Sequence, residues 1–159
     1  MTPDRPLRVG VISDTHNLVR PSAKAFLAGC DHIIHAGDIC RAEVLIELAA
    51  IAPVTAVRGN NDQGPWAHAL REEELLDIGG VRFYVVHDIA QSGIDAVSAG
   101  MGVVISGHSH KPRVEMKGPV VYLNPGSAGP RRFTLPISIA EVIVADGVAT
   151  ARCVQLEES

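Results

Sequence analysis

Val11-Ile12-Ser13-Asp14-Thr15-His16-Asn17 carries an apolar strand into a carboxylate and an imidazole set two residues apart. Leu7 to Ile12 clusters and alternates as a buried strand does, and the polar run after it stops the strand. Asp14 and His16 therefore stand where a strand opens into a loop. In extended chain their i, i+2 spacing lets both face one point. A hard oxygen beside an imidazole nitrogen suits Mn, Fe, Co, Ni or Zn better than Ca or Mg. Taken alone, the pair reads first as a buried Asp–His hydrogen bond. The remaining strands decide against that reading.

Pro21-Ser22 opens a helix through Ala28, ended by Gly29. His32 to Ala36 is a second buried strand, broken by Gly37-Asp38. Arg41 to Ala52 is a helix with Val44, Leu45, Leu48 and Ile51 as its apolar stripe, and Val54 to Val57 a third strand that breaks at Arg58-Gly59-Asn60-Asn61-Asp62. Two strand–helix–strand units of this length predict parallel pairing with right-handed crossovers. The second half reads as hairpins: Leu75–Ile78 with Val81–Val86 around Gly79-Gly80, Val114–Met116 with Val120–Leu123 around Gly118-Pro119, and Ile137–Val144 with Val148–Val154 around Asp146-Gly147. Ile94 to Ala99 reads as a short helix and Val103 to Ile105 as a strand stopping at Ser106-Gly107. So much strand in both halves predicts two mixed sheets packed together with helices outside.

At 159 residues, with no repeat or linker, the chain reads as a single domain able to bury a core without disulfides. Apolar residues make up 47% and aromatics only 4%, so the core falls to Val, Ile, Leu and Ala. A net charge of −4 argues against an extended nucleic-acid footprint. No run reaches transmembrane length, and Asp14 interrupts the N-terminal apolar stretch, so neither a membrane span nor a signal peptide is expected. Cys30, Cys40 and Cys153 lack metal-site spacing and read as small buried thiols of a reducing cytoplasm.

Asp14 and His16 follow the first strand, Asp38 the second and Asn60 the third. His87 ends Val81–Val86, and His108 and His110 follow Val103–Ile105. Each lies just past the carboxyl end of an apolar strand, where open α/β sheets place ligand sites. One metal does not need seven protein ligands; two metals sharing a carboxylate do. Other polar residues carry less. His32 is expected to be exposed and His35 a hydrogen-bonded partner behind the site or in the core. His68 reads as a surface histidine, Arg58 as an ion-pair partner, and Glu72-Glu73-Glu74 as a solvated face. Asp62 orients the Asn60 loop or simply makes a turn. Arg131-Arg132 is either a solvated pair or a holder of a distal phosphate. Nothing in the sequence activates Cys40 as a nucleophile.

Ser13-Asp14-Thr15-His16, Ala36-Gly37-Asp38, Arg58-Gly59-Asn60-Asn61-Asp62, His87, Gly107-His108-Ser109-His110 and Asn124-Pro125-Gly126-Ser127 together resemble the calcineurin-like metallophosphoesterases, within them the small bacterial and archaeal phosphodiesterases. The resemblance implies a four-layer α/β/β/α sandwich and two divalent transition-metal ions, Mn foremost, with Ni, Fe, Co or Zn as alternatives. It implies that Asp14, His16, Asp38 and His110 hold one ion, and that Asp38 bridges to a second held by Asn60, His87 and His108. Two departures stand out. Asn61 occupies the position where many monoesterases of the family carry a proton-donating histidine. Asp88-Ile89 follows His87 where the subgroup often has Gly-His, which adds negative charge near the pocket.

Two divalent ions carry +4 against −2 from Asp14 and Asp38, so a site of net +2 would attract a phosphate ester and acidify a bridging water for in-line attack. The expected function is therefore hydrolysis of a small phosphodiester. The alternatives are a phosphomonoesterase of a small metabolite and a catalytically silent interaction scaffold, as in the retromer subunit that resembles this family. Such a scaffold usually loses ligand residues, and here all seven positions are filled. The expected partner is the small phosphoester substrate, with no membrane; surface strand edges and Val-rich hairpins in the second half leave a dimer or larger homo-oligomer open.

Overall fold

Alternation along Leu7–Ile12 (β1) turns Val9 and Val11 toward one face and Ile12 toward the other, so β1 can be covered on both sides. In a computed structural model, which describes residues 5–92, 94–131 and 134–156, it lies at the centre of a five-stranded sheet. β1 pairs in parallel with β2 (His32–His35), and β2 with β3 (Val54–Ala56). On its other side β1 runs antiparallel to β9 (Ser138–Ala145), which pairs with β10 (Val148–Gln155). Helices α1 (Pro21–Leu27) and α2 (Ala42–Ala49) make the two crossovers. Ala23, Leu27, Val44 and Leu48 pack against Ile12, Ile33 and Ile139 on the sheet's outer face.

The second sheet has the order β4-β5-β6-β8-β7. Its strands are β4 (Glu73–Ile78), β5 (Val81–Val86), β6 (Val103–Ile105), β7 (Arg113–Lys117) and β8 (Val120–Asn124). β5, β6 and β8 are parallel, and β4 and β7 are antiparallel edges made by the predicted hairpins. Between the sheets, Val9, Val11, Ile34 and Val142 meet Phe83, Val85, Ile105 and Leu123. Each such side chain contributes about 1.5–3 kcal/mol when fully buried. The result is the α/β sandwich of two mixed sheets expected from the sequence. No helix of the described residues is long and apolar enough to cross a membrane.

Two elements differ from expectation. Ile94–Ala99 is not a helix but one closed turn: Asp95 Oδ1 accepts from Ser98 N at 3.3 Å, Asp95 O accepts from Ala99 N at 2.9 Å, and Ala96 O accepts from Met101 N at 2.9 Å. Gly100, at φ +73°, ends it five residues after the cap, which leaves room for no second turn. Ala96 and Met101 from this segment still cover Tyr84, Val86 and Val104, so turns and a 3-10 turn at Ile89–Gln91 form the outer layer there. A four-residue helix, α3 (Pro65–His68), with no counterpart in the sequence reading, follows Gly64.

Candidate metal centre

β1, β2 and β3 point their carboxyl ends at one rim, and β5 and β6 end beside them. The loops are stitched together by backbone: Asp14 N donates to Gly37 O at 2.9 Å, His16 N to Asp38 O at 3.1 Å, and Gly107 N to His87 O at 2.9 Å. That rim collects all seven residues the strand ends singled out.

Donor atoms of five of them fall into two groups that share Asp14: Asp14 with His16 and His110, and Asp14 with Asp38 and His87. Asp14 Oδ1 lies 3.3 Å from His110 Nε2 and 4.0 Å from His87 Nε2. Asp38 Oδ2 lies 3.4 Å from His87 Nε2 and 3.8 Å from His16 Nε2, within reach of an imidazole from each group. Asn60 Oδ1 sits 2.9 Å from His87 Nε2 and 3.2 Å from His108 Nδ1. Asp14 and His110 are buried, whereas Asn60 and His108 are exposed, so the crevice is closed at one end and open at the other.

The protons constrain what this cluster can hold. His87 Nδ1 can only donate to Ala36 O, 2.7 Å away, so the lone pair of a neutral ring sits on Nε2 and faces two oxygens. Either a proton or a cation has to lie between them. Burial alone would lower the His87 pKa, but Asp38 and Asp14 outweigh it and hold the pKa above the ordinary value. Burial likewise opposes ionisation of Asp38, yet His87 and two Asn61 donors hold its carboxyl well below the usual range. Asp14 spends Oδ2 on Ser13 Oγ, at 2.6 Å, and on His108 N, at 3.2 Å. Its Oδ1 is buried and accepts no hydrogen bond among the described residues, and His110 Nδ1 is likewise unsatisfied. Two carboxylates, one amide oxygen and four imidazoles facing inward with an orphaned anionic oxygen fit divalent transition metals.

The backbone is bent to make this possible. Asp14, His16, Asp38, His108 and His110 all have positive φ, between 46° and 70°. A non-glycine residue gives up about 1–2 kcal/mol in that region, and five of the seven candidates sit there. Glycines supply the close approaches between loops. A Cβ on Gly59 would stand 2.3 Å from both Asp38 N and Asp38 Oδ1, and one on Gly107 would stand 2.1 Å from Ser13 Oγ.

Several residues behind the donors carry more than their sequence suggested. Asp62, buried, accepts from Asp38 N, Ile39 N, Cys40 N and Gly59 N at 2.7–3.0 Å, so it fixes the Asp38 loop as well as the Asn60 loop. Asn61 donates from N and Nδ2 to the two Asp38 oxygens, both at 2.9 Å. Asn124 Nδ2 holds Gly107 O at 2.9 Å, and Ser127 Oγ donates to Asp14 O at 3.0 Å. His35, fully buried, accepts from Gly37 N at 3.1 Å and bonds Thr15 Oγ1 at 3.0 Å; burial pushes its pKa down to about 3. His32 is half-buried rather than exposed, because it pairs with Thr55 Oγ1 of the next strand at 2.7 Å. Arg58 pairs with Glu72 at 2.9 Å, and His68 is exposed. Burial and nearby carboxylates push the Cys40 thiol up to about 11, so it is no nucleophile at neutral pH. Arg131 is exposed, and Arg132 lies outside the described residues.

A cleft of about 780 Å³ opens beside Asn60, His87 and His108, walled by Arg58, Glu72, Glu73, Asp88 and Gln91. Residues 7–147 match the calcineurin-like phosphoesterase superfamily domain. A relative in Methanothermobacter thermautotrophicus, named a probable metallophosphoesterase, is 36% identical over 141 residues, covering 80% of this chain and 81% of its own. A phosphodiesterase of Methanocaldococcus jannaschii is 30% identical over 138 residues, covering 76% of this chain and 83% of its own. The structure of vacuolar protein sorting 29 from Cryptosporidium parvum superposes with a TM-score of 0.76 over 96% of this chain and 98% of that one, at 19% identity, a likeness of fold. With a match across nearly the whole chain and the fold's strand-end donors in place, the chain belongs to the calcineurin-like phosphoesterase superfamily.

Proposed function

We propose that this protein hydrolyses a small phosphodiester with two divalent transition-metal ions, manganese foremost, held at the sheet rim. One observation carries the reading: a cluster of Asp14, His16, Asp38, His87 and His110 donors, with an unsatisfied buried carboxylate oxygen on Asp14, adjoins a cleft of about 780 Å³ that Asn60, His87 and His108 line. The ions would supply Lewis acidity and an activated water for attack on phosphorus. Asp14, His16 and His110 would hold the inner position; Asn60, His87 and His108 would hold the outer one, beside the cleft. Asp38 would serve both, since its Oδ2 faces His16 and His87 alike.

The proposal fixes a stoichiometry. Metal-free protein titrated with Mn²⁺ should take up two ions per chain, and elemental analysis of the loaded protein should agree. An ion must displace the His87 proton, so affinity should climb as pH rises through the raised His87 pKa. One ion per chain would count against the binuclear arrangement, and affinity flat with pH would count against His87 as a ligand.

Substrate class follows from the cleft and from Asn61. Three carboxylates, Glu72, Glu73 and Asp88, stand on the walls against Arg58, which Glu72 already engages. A monoester dianion meets more repulsion there than a singly charged diester. Asn61 spends its amide on Asp38 and has no proton to give a departing oxygen. A general acid is typically worth about 10²–10⁴-fold, so poor leaving groups should suffer most. In a metal-reconstituted panel, aryl phosphodiesters should exceed matched monoesters at least about tenfold in kcat/KM, and Asn61→His should narrow the gap within that range. Dominant monoester turnover in the wild type would favour the monoesterase alternative. Metal-loaded protein that cleaves none of the panel would favour the scaffold.

A further inference from the structure

His108 must present Nδ1 to the outer position, because Nδ1 is the nitrogen that lies 3.2 Å from Asn60 Oδ1. A neutral imidazole offers one lone pair, so its proton then sits on Nε2. Opposite Nε2, at 3.9 Å, stands Asp88 Oδ2. The other Asp88 oxygen caps the 3-10 turn at Ile89–Gln91 by accepting from Ala90 N at 3.1 Å, which fixes the rotamer and leaves Oδ2 on the His108 side. The His108 side chain is 47% exposed, so a small ring tilt can close the gap. A carboxylate behind a ligating histidine selects its tautomer and raises the basicity of the ligating nitrogen. From this arrangement, and resting on the two-ion reading above, we infer that Asp88 is a positioning residue for the outer ion, acting through His108.

Two other roles predict different behaviour. As a cap alone, Asp88 would be replaceable by any good capping residue. As a cleft charge alone, it would act whether or not His108 is present. Asp88→Ser keeps a capping oxygen but cannot reach His108; Asp88→Asn keeps both the cap and an acceptor while losing the charge.

The test is calorimetric titration of the metal-free full chain with Mn²⁺. In Asp88→Ser the outer binding step should weaken about 10-fold, the lower end of what such partners are worth, with the inner step within about twofold of wild type. Asp88→Asn should fall between the two. In a His108→Ala background, Asp88→Ser should cost nothing further. Wild-type affinity in Asp88→Ser would reduce the residue to a cap, and an undiminished loss in the His108→Ala background would make it a cleft charge; either overturns the inference while the two-ion reading stands. A wild type with a single binding step would overturn both.

Discussion

Asp38→Asn should fold and should lose both metal positions together, with kcat/KM on any phosphodiester falling by at least about 10²–10³-fold, the range seen when one group of a preorganised electrostatic site is removed. Asparagine keeps the volume of aspartate and one acceptor oxygen, which Asn61 N or Nδ2 can still use. The loop therefore stays in place, and the unfolding midpoint of the metal-free protein should move little. What disappears is the negative oxygen near both His16 Nε2 and His87 Nε2, at 3.8 Å and 3.4 Å. Both Mn²⁺ binding steps should weaken in one titration. His110→Ala and Asn60→Ala provide the contrast, each weakening mainly the inner or the outer step. Two near-native, independent steps in Asp38→Asn would show that Asp38 bridges nothing.

Where the sequence was legible, the reason was local. Val11-Ile12 running into Asp14, Ile33-Ile34 into Asp38, and Val103 to Ile105 into His108 each pair a short apolar run with a polar break, and each break marks a strand's carboxyl end. Once β1, β2 and β3 are parallel, Asp14, His16, Asp38 and Asn60 must share a rim; β5 and β6 are parallel in the second sheet, so His87, His108 and His110 share one there, and the packing of the two sheets joins the rims. Hairpins read well because Gly79-Gly80 and Asp146-Gly147 carry turn chemistry in two residues, with positive φ at Gly79, Gly80, Asp146 and Gly147. Ile94–Ala99 misled because its apolar spacing suits a helix, while the distance from Asp95 to Gly100 allows one turn. His32 misled because alternation predicts a face but not a hydrogen bond to Thr55 on a strand still to be placed.

The supporting shell was illegible for a different reason. Ser127 reaches Asp14 across 113 residues and Asn124 reaches Gly107 across 17, with no periodicity to announce either contact. Left-handed backbone at five donors is illegible too, because Asp and His are enriched at positive φ without requiring it. Such strain persists only where the surroundings over-determine it. Here the surroundings include Asp62, Asn61, Asn124 and Ser127, which hold the loops through hydrogen bonds.

Asp62 is the strongest of these, and its replacement should be the most destabilising single change around the rim. Oδ1 accepts from Ile39 N at 2.8 Å and Cys40 N at 2.7 Å; Oδ2 accepts from Asp38 N at 3.0 Å and Gly59 N at 2.8 Å. Asp62→Ala leaves four backbone donors without that carboxylate, in a loop where Asp38 and Cys40 already have positive φ. An orphaned buried donor costs about 1–3 kcal/mol. Some of the four will recover water as the loop relaxes, so the expected loss is about 3–5 kcal/mol by urea unfolding, below the sum of separate penalties. Asp62→Asn separates this account from a simple packing role. Each oxygen receives two N–H groups, so whichever way the amide turns, an NH₂ must face two more donors. Asparagine should therefore be nearly as damaging as alanine despite its matching shape, and Mn²⁺ affinity should fall in both variants as the Asp38 loop loosens. An Asp62→Asn protein with a wild-type unfolding midpoint would mean that the four contacts do not hold the loop.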